Sequence, residues 1–429
     1  MAAPAVPHST QGRLRAAAWV LYDLANTVYA ATLTFLFTPY VKQALGDDLR
    51  GLGLVQLASM ALAGLLVPVF GALLDQTART RGYLTIATLL CIAATAAFGA
   101  DVAPGWLLAF FFVANVTYNL GLLFYNALLP AVAAPGSEGR LGGLGTGLGY
   151  FGTIVVLAVL VPLPVDDATR FPLAALLFLV TAAPCLLLVR DPRRPRGNGS
   201  VAAVRAAFAR LGATLRDLPR QRALLWFLIG NFCLVDVLNT AVLYFADFTT
   251  SVFQNAAALG PLQLLGVEFA GANAMRDFVI VLGLLLNGLA LVFGIVQGRL
   301  SDRAPLRVMR SSGFALLVAL VGGALFGGRS ELGYALTLVV AGAYGLAGVW
   351  TAGRTVVVLL APPDRVGEYF GLYGITVKLS VVGSAVYGFV EYYAGAKPAM
   401  LAQSAQLLIG LLCLAMVRVP ATPPAATAR

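Results

Sequence analysis

The chain has 429 residues, 59% of them hydrophobic and 11% charged, with a formal net charge of +10. Soluble domains carry roughly 25% charged residues, so this chain lacks the polar side chains to cover a water-facing surface, and the two or three soluble domains its length would allow are excluded. Its basic excess would point to nucleic acid in a soluble protein, but it lies between apolar segments and follows from membrane topology instead.

The sole histidine, His8, sits in a Pro/Ala-rich tail, which excludes catalysis by a buried histidine. From Trp19 onward the chain reads as a retained span rather than a cleaved signal peptide. Twelve spans are predicted, near 17–40, 52–74, 82–100, 104–133, 141–161, 171–189, 223–249, 278–298, 307–327, 332–360, 371–391 and 399–417. Each can cross about 30 Å of hydrocarbon at 1.5 Å per residue. With both termini in the cytoplasm, 21 basic residues fall on the cytoplasmic side and six on the other, leaving Arg354 and Lys378 within spans. That bias sets the orientation by the positive-inside rule. The expected arrangement is an N-terminal six-helix bundle over 1–189, a basic cytoplasmic linker over 190–222 and a C-terminal six-helix bundle over 223–429. Within the linker, Val201, Val204, Phe208, Leu211, Leu215 and Leu218 recur at helical steps, so a short amphipathic helix lies on the membrane surface or on the protein's own cytoplasmic face.

Matching polar clusters recur in the two halves. Asp23, Asn26 and Thr27 in span one and Asp236, Asn239 and Thr240 in span seven both read D-x-x-N-T. A carboxylate inside lipid is costly and marks a protein interior or a water-filled path. Two of them half a chain apart point to a duplicated transporter with its working groups between the halves. Asp23 and Asp236 are the proton-coupling candidates. The asparagines and threonines either grip a polar solute or bond helix to helix. Tyr118 and Asn126 add polar groups to span four. Arg354 suits a carboxylate through its planar fork, and Lys378 is a compact charge in apolar surroundings. Together these charges give a cavity of both signs, as a zwitterion requires, although an internal ion-pair network would use the same residues.

A second echo follows spans two and eight. Gly71, Asp75 and Arg79 match Gly298, Asp302, Arg303 and Arg307 in G-x-x-x-D loops. Glycine would let helices approach at the cytoplasmic mouth, and the aspartate would pair or cap, forming either a latch that opens or a fixed loop anchor. The glycine run LGGLGTGLGYFG thins span five for close packing or bending rather than for binding a nucleotide. Cys91, Cys185, Cys233 and Cys413 fall in spans without metal-ligand spacing and read as core. No metal is expected.

The paired loops within twelve spans resemble the major facilitator superfamily. Three stretches, WVLYDLANTVYAATLTFLFTPY, FYNALLPAVAAPGSEGRLGGLGTGLGYFG and GRTVVVLLAPPDRVGEYFGLYGITVKLSVVGSAVYGF, are similar to its vacuole-effluxer-like branch, related to autophagy-associated amino-acid exporters. That branch is usually more basic in the first loop, where Gln76 follows Asp75 here. The resemblance implies an all-α fold in which spans 1, 4, 7 and 10 surround a central cavity, with alternating access. It also implies efflux of a small polar solute such as an amino acid. The expected protein is a multi-pass transporter of the inner or cytoplasmic membrane and a functional monomer. Its partners are the bilayer and the solute, with no cofactor beyond a coupling proton. The rivals are a transporter of lipid or amphipathic solute and a non-transporting receptor or assembly protein. An enzyme is not expected, because the intramembrane set has no nucleophile–base pair.

Overall fold

A computed structural model describes residues 10–77, 79–133, 138–191, 205, 208–209, 212–213, 216–360 and 366–418. Most of the basic linker with its apolar stripe lies outside these residues, as do the turns at Pro135-Gly136 and Pro362-Pro363. Among the described residues, eleven helices are long and apolar enough to cross a membrane. The fifth of the twelve expected spans is the helix Glu138–Val155, extended by a π-turn over Val156–Leu160. Side chains such as Leu65, Ile86, Phe314 and Leu412 stand on the outer surface, the apolar belt that lipid requires and water would penalise.

Each half repeats one packing plan. Span three lies on span four, two on four, one on six and one on five. Nine on ten, eight on ten, seven on twelve and seven on eleven repeat those pairs in the second half. The halves meet where span two packs on eleven and span five on eight. Exchanging the halves turns one junction into the other, as an internal duplication requires.

Three departures from uninterrupted helices bear on function. Span one runs Thr10–Thr32, passes through a π-turn at Leu33–Phe37 and continues over Thr38–Ala44. Span seven, Arg222–Leu243, is followed after Tyr244 by a further helix, Phe245–Leu259. Span eleven was expected to be continuous but is broken, with Val366–Leu379 and Val382–Ala394 separated by Ser380 and Val381. The loop before span eight also forms a hairpin that was not foreseen. Its strands β1, Leu262–Leu264, and β2, Val267–Phe269, pair antiparallel with Leu262 opposite Phe269. Leu265 and Gly266 both take positive φ, 53° and 81°, as a tight two-residue hairpin turn needs.

Candidate functional site

Asp23, Asn26 and Thr27 stand three and four residues apart, so they share one face of span one. Span five lies along that face because its glycines leave room. A Cβ on Gly145 would come within 2.9 Å of Asp23 Oδ2, one on Gly149 within 3.0 Å of Thr27 Oγ1, and one on Gly152 within 2.7 Å of the Leu24 carbonyl. The expected close packing of span five is therefore present, mainly against span one. Trp19 stacks on Tyr125 at 4.3 Å and donates from Nε1 to the Tyr125 carbonyl at 3.0 Å, which fixes span four beside span one. Tyr29 lies against Tyr118 at 4.6 Å.

This region carries polar capacity that the protein itself does not use. Asp23 is half-buried and forms no ion pair among the described residues. Asn26 sits next to it, but the Asn26 Nδ2 meets no acceptor at hydrogen-bonding geometry. The hydroxyls of Tyr29 and Tyr125 are also buried without partners among the described residues. Thr27 donates back to the Asp23 carbonyl of its own helix at 2.9 Å. Arg354 of span ten is exposed and within electrostatic reach of Asp23. Tyr118 is within that reach too, and Asn126, next to Tyr125 near the end of span four, is exposed.

The second motif meets different neighbours. Asp236 is 0% exposed. Its carboxylate accepts the Gly383 backbone N–H at 2.9 and 3.0 Å and the side-chain amide of Gln406. Asn239 donates to the Ser380 carbonyl at 2.9 Å. Thr240 is buried with its hydroxyl unpartnered among the described residues. Expected as a coupling candidate, Asp236 is instead bound within the C-terminal bundle. The reason is positional: the break in span eleven exposes backbone groups directly opposite this turn of span seven.

Lys378 lies in the last turn before that break. Its ammonium reaches the other bundle, donating to Asn119 Oδ1 at 2.7 Å and to the Asn119 carbonyl at 3.3 Å. The bonds continue inward. Asn119 donates to the Asn115 carbonyl at 2.8 Å, and Asn115 donates to Gln56 Oε1 at 3.0 Å and Ser59 Oγ at 2.7 Å. This chain of bonds joins spans eleven, four and two. It contains one cation and no carboxylate.

The end of the molecule opposite the arginine-rich side is shut by groups that sequence reasoning did not single out. Lys42, near the end of span one, lies 3.0 Å from Asp247 and 2.7 Å from Glu391. All three side chains are largely buried. Asp247 opens the helix after span seven and Glu391 closes span eleven, so one ammonium from the N-terminal bundle holds two carboxylates of the C-terminal one. Beside it, the Arg50 guanidinium lies 3.6 Å from the centre of the Tyr392 ring and donates to the Tyr393 hydroxyl at 3.2 Å. Arg50 also grips Asp48, holding that carboxyl below the usual range through side-chain hydrogen bonds. Gly53 and Gly388 allow the backbone approach between spans two and eleven, where added Cβ atoms would come within 2.5 Å of the Ser384 carbonyl and 2.7 Å of the Leu49 carbonyl. One signal was available in the sequence: opposite charges flanked by apolar residues near the ends of spans one, seven and eleven.

Among the described residues, no hydrogen bond or ion pair joins Arg79, Asp302, Arg303 or Arg307 of the proposed latch loops to the opposite half. The Asp75 side chain lies outside the described residues. Gly71 has open space where a Cβ would point, and a Cβ on Gly298 would only reach Thr351 at 4.0 Å. The expectation that these glycines bring helices together is therefore not met in this state. Arg79, Asp302, Arg303 and Arg307 are exposed. Asp302, Arg303 and Arg307 border a cleft of about 530 Å³ inside the C-terminal half. There Arg310 donates to the Leu414 carbonyl at 2.7 Å and to the Val417 carbonyl at 3.1 Å, capping span twelve.

Known proteins share this arrangement. Residues 24–386 match the family model of the Major Facilitator Superfamily. The chain is 24% identical over 427 residues to a protein described as an uncharacterized MFS-type transporter, YxiO of Bacillus subtilis (strain 168), covering 93% of this chain and 94% of that one. Among solved structures, the nucleoside transporter NupG superposes with a TM-score of 0.71 at 15% identity, covering 94% of this chain and 98% of that one. A bacterial homolog of the human lysosomal transporter Spinster, inward-facing and unoccupied, gives 0.72 at 14%, covering 95% and 96%. The duplicated twelve-span plan and the family match over most of the chain lead to one conclusion: this protein belongs to the Major Facilitator Superfamily, and it is a multi-pass membrane transporter rather than an enzyme.

Proposed function

We propose that the protein moves a small zwitterionic solute, an amino acid in the first instance, by alternating access between the two bundles. The observation that carries this reading is Lys378. It is a lysine at the bundle seam whose partners among the described residues are the amide and carbonyl oxygens of Asn119. A cation held by neutral acceptors is open to exchange for a solute carboxylate, which forms stronger, charge-assisted bonds. Asp23, half-buried and without an ion pair among the described residues, is suited to the solute ammonium or to a coupling proton. Arg354 supplies a second cation opposite it. Asp236, already saturated by its neighbours, is less suited to coupling. The ion cluster at Lys42 supports a cycle in which this end is closed while the arginine-rich end is open. With that end cytoplasmic, the protein sits in the cell's inner or cytoplasmic membrane with both termini inside, acting as a monomer. Efflux, and placement in the vacuole-effluxer-like branch, rest on the sequence resemblance.

The test is flux in proteoliposomes over an amino-acid panel, with and without an imposed pH gradient. The expected result is saturable movement of at least one zwitterionic amino acid, accelerated by the gradient and lost in D23N. Flux of a lipid or amphipathic probe without amino-acid flux would overturn the substrate class. Equal flux in D23N and wild type under the gradient would remove Asp23 from the coupling step.

A further inference from the structure

Span eleven breaks at a place its own sequence does not require. The run Leu379-Ser380-Val381-Val382-Gly383 contains no proline. Two adjacent valines and a glycine weaken a helix without forbidding it. Breaking a helix inside hydrocarbon frees backbone groups that must find other partners. Here those partners come from elsewhere in the bundle. Gly383 N–H, in the first turn of the second half-helix, donates to Asp236. The Ser380 carbonyl, just past the first half-helix, accepts from Asn239. Gln403 adds a bond to the Gly383 carbonyl at 3.0 Å, a group the break itself does not free. The positive end of the second half-helix also compensates the Asp236 carboxylate, which has no cation beside it among the described residues. Span seven thus caps both sides of the break.

The break lies next to Lys378. Winding Ser380 and Val381 into one continuous helix would turn the first half-helix relative to the second, at about 100° per helical residue, and carry the lysine away from its acceptors. We infer that Asp236 and Asn239 are positioning residues for transport: by holding span eleven broken, they aim the Lys378 ammonium across the seam at Asn119. This inference rests on the reading of Lys378 as a solute-contacting group. Neither residue is assigned contact with the solute. Their role is exerted through the backbone of another helix, and one turn of span seven does both jobs because Asp236 and Asn239 are three residues apart and share a face.

A test is available because the chain holds only three lysines, Lys42, Lys378 and Lys397. Lys42 sits in the ion cluster at the closed end, and Lys397 donates to the Gly327 carbonyl at 2.7 Å. Lys397 reports on a contact away from the break, whereas Lys42 also follows the far end of the second half-helix through Glu391. The purified full-length protein, without solute, is labelled with limiting acetic anhydride, and acetylation at each lysine is read by peptide mass spectrometry. In N239A and D236A, Lys378 is expected to react about tenfold faster relative to Lys42 and Lys397, equivalent to about 1.4 kcal/mol. D236N, which keeps an oxygen acceptor for Gly383, is expected to fall between wild type and D236A. Should D236A fail to fold, N239A and D236N carry the test alone. Unchanged relative reactivity of Lys378 in the folded variants overturns the inference. So does a parallel rise at all three lysines, which would mark general loosening. No transported solute enters the measurement, so a failure of the amino-acid reading leaves its outcome intact.

Discussion

Asp23 and Asp236 stand in the same five-residue pattern on corresponding helices, yet one borders unbonded amide and phenol groups while the other is sealed beneath a backbone N–H and a glutamine amide. The difference lies in the helix opposite. Span five faces Asp23 with glycines in an unbroken helix, which lets the two helices approach closely. Span eleven faces Asp236 with a break, which offers donors and needs an acceptor. Duplication supplied two matching clusters, and the neighbouring helices leave the first carboxylate without an ion pair among the described residues while binding the second. Identical motifs in a duplicated transporter therefore do not imply identical neighbours.

Substitutions made in parallel at the two motifs can break or sharpen this contrast. The largest effect is expected from D236A, which strands the Gly383 and Gln406 donors in a buried site and costs about 3 kcal/mol of stability. D23A should remain within about 0.5 kcal/mol of wild type, since its side chain bonds no buried donor. Thermal or denaturant unfolding in one detergent measures both, and equal losses would erase the distinction. Next comes K378A, expected to lower apparent solute affinity about tenfold or more, roughly the 1.5 kcal/mol or above of a charge-assisted hydrogen bond. Unaltered affinity across the amino-acid panel would take Lys378 out of the site. A smaller effect belongs to N239A, about 1 kcal/mol for one interhelical hydrogen bond in a membrane protein. N26A removes an amide with no acceptor at bonding geometry and should cost almost nothing in the same unfolding experiment. A larger loss for N26A than for N239A would reverse the assignment of the two motifs.

Much of the fold could be read from the chain. Apolar runs of the right length gave twelve spans, and the repeated clusters gave the duplication. The glycine run in span five gave its close packing. The site was legible only in its parts list. Asp23, Lys378 and Arg354 could be chosen because charge within a span is costly. The cluster at the closed end was missed because Lys42, Asp247 and Glu391 each lie near a span end, where a single charge is ordinary. Their meaning comes from their meeting. Lys42 and Glu391 are 349 residues apart in the chain, and no local pattern links them.

The sequence by itself determined that this protein lives in a bilayer, how many times it crosses, and which residue types had to be sheltered there. Those outcomes depend on transfer free energies, which each segment carries with it. Only the tertiary structure decided which aspartate stays available, where span eleven breaks and which end is shut. Each of those depends on whether a hydrogen-bonding group finds a partner, and the partners arrive from helices 141 to 349 residues away.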